Sequence, residues 1–272
     1  SMLRKLAVGL LSALAFAVSP SHADDSFIIV QSTTSTQNSG LFDHILPLFA
    51  EASGIEVRVV AVGTGQAIKN AANGDGDVLL VHALPAEEVF VAAGLGVERF
   101  DLMYNDFVIV GPAADPAGVS GMSDGPAALA MIAAAEAPFA SRGDDSGTHK
   151  KERRLWQAAG IDPVVSSGTW YLETGSGMGA TLNTAVGMGA YSLTDRATWI
   201  AFENKSGLAL LVEGADDLFN QYGVILVNPE RFEHVKAAEG QAFIDWLLSG
   251  EGQAAIGSYR LAGQQLFFPN AN

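Results

Sequence analysis

Three times between Phe27 and Ala93 a short apolar stretch gives way to a small polar loop and then to a helical repeat. Phe27-Ile28-Ile29-Val30 is a continuous apolar run, as a strand covered on both faces requires. Ser32 to Gly40 reads as a polar loop, and Leu41, Phe42, Ile45, Leu48, Phe49 and Ala52 then recur at helical spacing, with Gly54 as the stop. Ile55, Val57 and Val59 alternate with Glu56 and Arg58, which predicts a second strand. Gly63-Thr64-Gly65 reads as a tight loop before a helix marked by Ile68, Ala71 and Ala72. Val78 to Val81 is a third strand and Ala86 to Ala93 a third helix. Strands alternating with helices in this way predict an α/β unit with a mainly parallel sheet.

The pattern then changes. Phe107 to Pro112 is a strand closed by Gly-Pro, and Asp115-Pro116-Ala117-Gly118 is turn chemistry. Here the chain is expected to pass into a second lobe. That lobe would hold a helix at Leu129 to Glu136, the stretch Ser141 to His149, and Thr169 to Asp195. Leu208 to Val212 and Gly223 to Val227 are late strands, Asn228-Pro229 is a break, and Phe243, Trp246, Leu247, Ile256 and Tyr259 mark closing helices. The expected division is a leader at 1–23, lobe I at 24–110, lobe II at 111–222 and a return to lobe I at 223–272.

The leader rests on Arg4 and Lys5, the 13-residue apolar run Leu6 to Val18, and small residues at Ser21 and Ala23. This is the layout of a secretory signal cut after Ala23; a membrane-spanning helix would need about 20 apolar residues. The protein is therefore expected in a periplasm-like compartment. It contains no cysteine, which excludes disulfides, thiolate metal sites and a lipidated cysteine. Its formal charge is −15, and −17 once a leader with two basic residues is removed, a balance that disfavours nucleic acid and anionic membranes.

Ligands of open α/β sheets sit beyond the carboxyl ends of the strands, beside helix N-termini. Three stretches fall at such places: Ser32-Thr33-Thr34-Ser35, Gly63-Thr64-Gly65, and Ser141-Arg142-Gly143-Asp144-Asp145-Ser146-Gly147-Thr148-His149. All are rich in glycine and hydroxyls, and Arg142 supplies a positive charge beside Ser146 and Thr148, both good N-cap types. Backbone N–H groups at a helix start with an arginine beside them make an anion site. Gly175-Ser176-Gly177-Met178-Gly179 is a fourth stretch of this kind. Each has a plainer reading as a cap or turn. His149 reads as a surface residue at a helix start, Asp144 and Asp145 as braces for the loop or for Arg142, and Trp156, Trp170 and Trp199 as core. No Walker A, H-E-x-x-H or G-x-S-x-G motif is present. Gly175-x-Gly177-x-x-Ala180 fits a relaxed dinucleotide fingerprint, but Gly168 to Glu173 is a poor buried strand.

Further blocks accompany these stretches: Gln66-Ala67, Val81-His82-Ala83, Met103 to Pro112, Gly177-Met178-Gly179 and Tyr191 to Arg196. Together, and in this order, they closely resemble the tungstate-binding proteins of bacterial ABC importers, a group of type II periplasmic binding proteins. Ser32 stands where the family usually has a threonine. The resemblance implies two lobes with the ligand in the cleft, a non-enzymatic shuttle, and an oxyanion held without metal or cofactor. It places Thr33, Thr34 and Ser35 with Thr64 on one lobe, and Arg142, Ser146 and Thr148 on the other. The implied partners are tungstate, or molybdate, and an ABC permease; a monomer is expected. The alternatives are the same fold binding molybdate, sulfate or phosphate, and a secreted hydrolase using Ser146 and His149.

Overall fold

The computed structural model describes residues 26–272; the leader lies outside them. From the N-terminal side the elements are β1 (Phe27–Thr33), α1 (Thr34–Asn38), α2 (Leu41–Ser53), β2 (Glu56–Val62), α3 (Thr64–Ala72), β3 (Val78–Val81) and α4 (Leu84–Ala92). β1 pairs with β2 and with β3, both in parallel. β3 is buried along its length, whereas β2, at the edge, alternates exposed and half-buried residues. That difference is the one between the continuous Val78–Val81 run and the alternating Ile55–Val59 pattern. Ser32–Gly40 differs from the expected loop. Ser32 and Thr33 complete β1, and Thr34–Asn38 is a helical turn, because the Thr33 hydroxyl accepts from the Thr36 N–H and caps it. Gly63-Thr64-Gly65 is likewise the start of α3 rather than a separate turn.

The next strand is the largest departure from expectation. β4 (Gly96–Pro112) is 17 residues long and serves both lobes. Beyond it lie α5 (Gly125–Ala134), β5 (Phe139–Ser141), α6 (Gly147–Ala158), β6 (Tyr171–Glu173), α7 (Met178–Met188), β7 (Ser192–Asp195), α8 (Arg196–Ala201) and β8 (Leu208–Val212). The chain returns through β9 (Phe219–Val227) and closes with α9 (Ala237–Leu248), α10 (Gly250–Ser258) and the short strands β10 (Arg260–Leu261), β11 (Gln264–Gln265) and β12 (Phe268–Pro269). In lobe I the strand order is β12-β4-β9-β3-β1-β2. In lobe II, β6 pairs with β5 in parallel, β5 bridges to Tyr191 ahead of β7, and β7 and β8 flank β4. Parallel pairing thus holds at the β1-β2-β3 and β5-β6 ends of the sheets. The pairs made by β4, and that of β9 with β3, are antiparallel, because β4 and β9 run side by side in opposite directions between the lobes.

The segment of β4 up to Asp106 pairs with β9, and the segment from Phe107 pairs with β7. Asp106, 5% exposed, accepts both Nε and Nη2 of Arg196 at 2.7 Å, and Asn220 donates to Asn105 at 2.9 Å beside it. Each lobe buries apolar groups on both faces of its sheet. Ile28, Leu41, Phe49, Phe243, Trp246 and Phe267 form one core in lobe I, opposite Ala67, Leu79, Phe90 and Ile225. In lobe II, Ile109 packs with Phe139, Trp156 and Tyr191, while its neighbours Val108 and Val110 face Met178, Leu182 and Trp199 on the other side. Trp156 and Trp199 are core residues and Trp170 packs half-buried against Trp156.

Candidate functional site

The strand register brings the lobe I residues together. Thr33, the last residue of β1, lies beside Val62, the last of β2. The helical segments that follow, opening at Thr34 and Thr64, therefore start side by side. Thr33 is buried, and its hydroxyl meets Ser35 Oγ at 3.2 Å, Thr36 Oγ1 at 2.7 Å and His82 Nε2 at 3.3 Å. His82 follows β3 directly, as Thr34 follows β1, and its ring packs on Tyr222 at 4.7 Å. Burial holds its pKa down at about 4, against a smaller upward pull from a hydrogen bond with Asn220. The ring is neutral at pH 7, so this half of the site presents hydroxyls and imidazole N–H without charge. Thr34 and Ser35 are exposed and Thr64 half-exposed. α3 has no side-chain cap at Gly63, and a Cβ at Gly63 or Gly65 would meet nothing within 4 Å. Its first N–H groups thus have no side-chain cap of their own.

Lobe II repeats this geometry with different chemistry. Ser141 and Glu173, the last residues of β5 and β6, are register partners, so the loops leading to α6 and α7 leave from adjacent strand ends. Ser146 caps α6 by accepting from His149 N–H at 3.2 Å, while α7 has no side-chain cap at Gly177. Thr174, Ser176 and Thr181 form a hydroxyl chain beneath, with Thr174 N–H and Oγ1 both donating to Ser141 O. The Arg142 side chain, 20% exposed, donates from Nε and Nη2 to Asp144 Oδ2 at 3.1 and 2.7 Å. Asp144 is thus bonded to Arg142, the contact the sequence suggests. Burial alone would raise its carboxyl, but Ser146 and Arg142 outweigh that and hold it below the usual carboxylate range. Beneath the loop, buried Glu152 accepts from Tyr171 Oη at 2.5 Å and Trp156 Nε1 at 3.1 Å. Burial pushes its pKa up to about 7 in spite of these bonds and one from Ser141.

This arrangement can bind but is not set up to attack. Ser146 Oγ is occupied as a cap, and His149 Nδ1 accepts from Asp145 N–H at 2.9 Å instead of facing Ser146. The nucleophile–base pair of the hydrolase alternative is not formed. The strand ahead of the Gly175–Ala180 fingerprint is three residues long, too short for a dinucleotide unit. The residues around the site to which the sequence alone assigns no role are Thr36, Asn220, Thr174 and Thr181, together with His82 and Ser176, which stand there only as parts of a block or stretch. His82 carries the one available signal, a polar residue directly after a four-residue buried strand.

Comparison with known proteins agrees with this architecture. The PBP superfamily domain matches residues 18–251. The tungstate-binding protein TupA of Peptoclostridium acidaminophilum is 50% identical over 248 residues, covering 90% of this chain and 86% of that protein. The TupA of Campylobacter jejuni is 38% identical over 87% of this chain and 88% of its own length. Among solved structures, the tungstate-binding protein TupA of Desulfovibrio alaskensis G20 superposes with a TM-score of 0.87 at 49% identity, covering 91% of this chain and 100% of that one. The tungstate ABC transporter structure of Geobacter sulfurreducens gives 0.71 at 48% identity, covering 86% and 98%. By fold, by the paired helix starts and by these likenesses, the chain belongs to the PBP superfamily and, within it, to the TupA family.

Proposed function

We propose that this protein captures tungstate between its lobes and hands it to an ABC permease, as an exported, non-enzymatic, monomeric shuttle. The observation that carries the reading is a neutral hydroxyl cluster around Thr33 at the strand ends of lobe I and a charged loop at Arg142 to Ser146 at the strand ends of lobe II; in this reading Thr33, Thr34, Ser35 and Thr64 meet the anion from one side and Arg142, Ser146 and Thr148 from the other. A tetrahedral dianion needs donors from several directions, which helix starts from both lobes would supply. Hydrogen bonds to a charged group contribute roughly 1.5–3 kcal/mol each, and a helix N-terminus about 0.3–1 kcal/mol more. The glycines at Gly63, Gly65, Gly177 and Gly179 leave room for close approach of the backbone. Export is supported by the leader composition at 1–23, and among the described residues no helix is long and apolar enough to cross a membrane. The change of pairing partner at Asp106–Phe107 supports a lobe boundary on β4, where bending would close the cleft.

The test is titration calorimetry on ligand-stripped protein with tungstate, molybdate, sulfate and phosphate in one buffer. The expected result is a tungstate dissociation constant on the order of 1 μM or below, with sulfate and phosphate at least about a hundredfold weaker. Folded protein that binds none of the four would discard the reading. Size exclusion with light scattering would check the monomer.

A further inference from the structure

The carboxylate of Asp144 sits on donors that the proposed ligand needs. Oδ2 takes both Nε and Nη2 of Arg142, at 3.1 and 2.7 Å, and Oδ1 accepts from the backbone N–H of Ser146 at 3.2 Å. An arginine fork and a helix-start N–H are what an incoming oxyanion would use. The loop is bent to make this fit. Gly143 and Asp145, on either side of Asp144, have φ of 57° and 60°, and Asp145 is one of few non-glycine residues here in the left-handed region. A Cβ at Gly143 would meet the Cβ of Glu173 at 2.8 Å, so the turn also lies close against β6.

We propose that Asp144 is a tethered competitor: without ligand its carboxylate occupies the donors of Arg142 and Ser146, and an oxyanion binds by displacing it. The proposal rests on the reading that these donors hold the oxyanion. A dianion and a carboxylate on the same donors would repel at short range, so the two occupancies exclude each other. A tethered group acts at an effective concentration in the millimolar range or above. It therefore lowers the apparent affinity of every anion by the same factor, as the fraction of open sites falls. The consequence is a threshold. Abundant anions that bind weakly, chloride among them, do not fill the cleft, and an anion that engages both lobes does.

The test uses tungstate and perrhenate, which share tetrahedral shape and differ by one charge, titrated into wild-type protein, Asp144→Asn and Asp144→Ala. The α6 cap is made by Ser146 itself, so both variants are expected to fold, with melting temperatures near wild type. Both variants should tighten both anions about tenfold, by one common factor, and chloride at 0.5 M should weaken perrhenate binding in the variants more than in wild type. Unchanged or weaker binding of both anions would overturn the proposal and make Asp144 a brace that orients Arg142. Tightening of tungstate alone would overturn it by showing that the carboxylate stays in the occupied site. A loss confined to hydrogen phosphate would overturn it in favour of an acceptor for protonated anions. Absence of oxyanion binding by wild type is a separate failure, of the function itself.

Discussion

The ends of β1 and β2 in lobe I and of β5 and β6 in lobe II share one backbone plan, yet they carry opposite chemistry. In lobe I, Thr33, Ser35, Thr36 and His82 bond to one another, and burial keeps His82 neutral. That half is a finished surface with no charge to satisfy. In lobe II, Arg142 and Asp144 hold each other across a left-handed turn, and Glu152 sits buried below with its pKa raised. Charge, strain and exchangeable partners are concentrated on that side. One half of the cleft can therefore fix the position of a ligand while the other decides whether it stays.

The largest test of this contrast is Arg142→Ala. In the proposed site it would remove two charge-assisted bonds to the ligand, a loss of roughly 3 kcal/mol or more, so affinity for tungstate should fall by about two orders of magnitude or more by calorimetry. No change in lobe I should match it; an equal loss in Thr33→Val would break the comparison.

The second test is pH. His82 moves from 6.5 to about 4 on folding, so the folded state binds fewer protons than the unfolded chain in that window. Its contribution is full above pH 6.5 and is lost as pH falls toward 4. Glu152 moves from 4.5 to about 7, so its contribution is full below pH 4.5 and is lost as pH rises toward 7. The two lobes thus lean in opposite directions. Glu152→Gln should gain stability relative to wild type between pH 5 and 8, on the order of 2 kcal/mol, in denaturant titrations. His82→Gln should flatten the acid side of the same profile.

Thr33→Val is smaller. It removes an N-cap and a buried hydroxyl hub, and should lower stability by about 1–2 kcal/mol, read as a shift in the urea midpoint. Thr64→Ala is smallest in stability, within about 0.5 kcal/mol, because no side-chain cap at α3 is lost. Its effect should appear as a several-fold weaker tungstate affinity.

The sequence makes some of this plain and hides the rest for physical reasons. Continuous apolar runs give β1 and β3, alternation gives β2, and glycine with hydroxyls at strand ends marks both halves of the site. The first half of β4 is hidden because Glu98, Arg99, Asp101, Asn105 and Asp106 interrupt any apolar pattern. Several of these are satisfied by distant partners. Arg99 bonds to Glu87, and Asp106 to Arg196, which no local reading reveals. α1 is hidden because Thr36 is its one buried residue, leaving no periodicity to read. The bond from Ser146 N–H to Asp144 is hard to read for another reason: Asp and Gly favour such a turn, but the pairing needs the left-handed bends at both Gly143 and Asp145.

One feature of lobe I reaches beyond binding. Its main core joins Ile28 and Val30, at the start of the described chain, to Phe243, Trp246 and Phe267, near its end. β12 then adds the last strand to β4, pairing Phe268 with Tyr104. Contacts separated by more than two hundred positions form late and slowly, since the intervening chain must first be closed into a loop. A chain emerging N-terminus first would have only part of this core until the segment from α9 through β12 arrives. Removing α9 through β12 should leave the lobe I core unable to close.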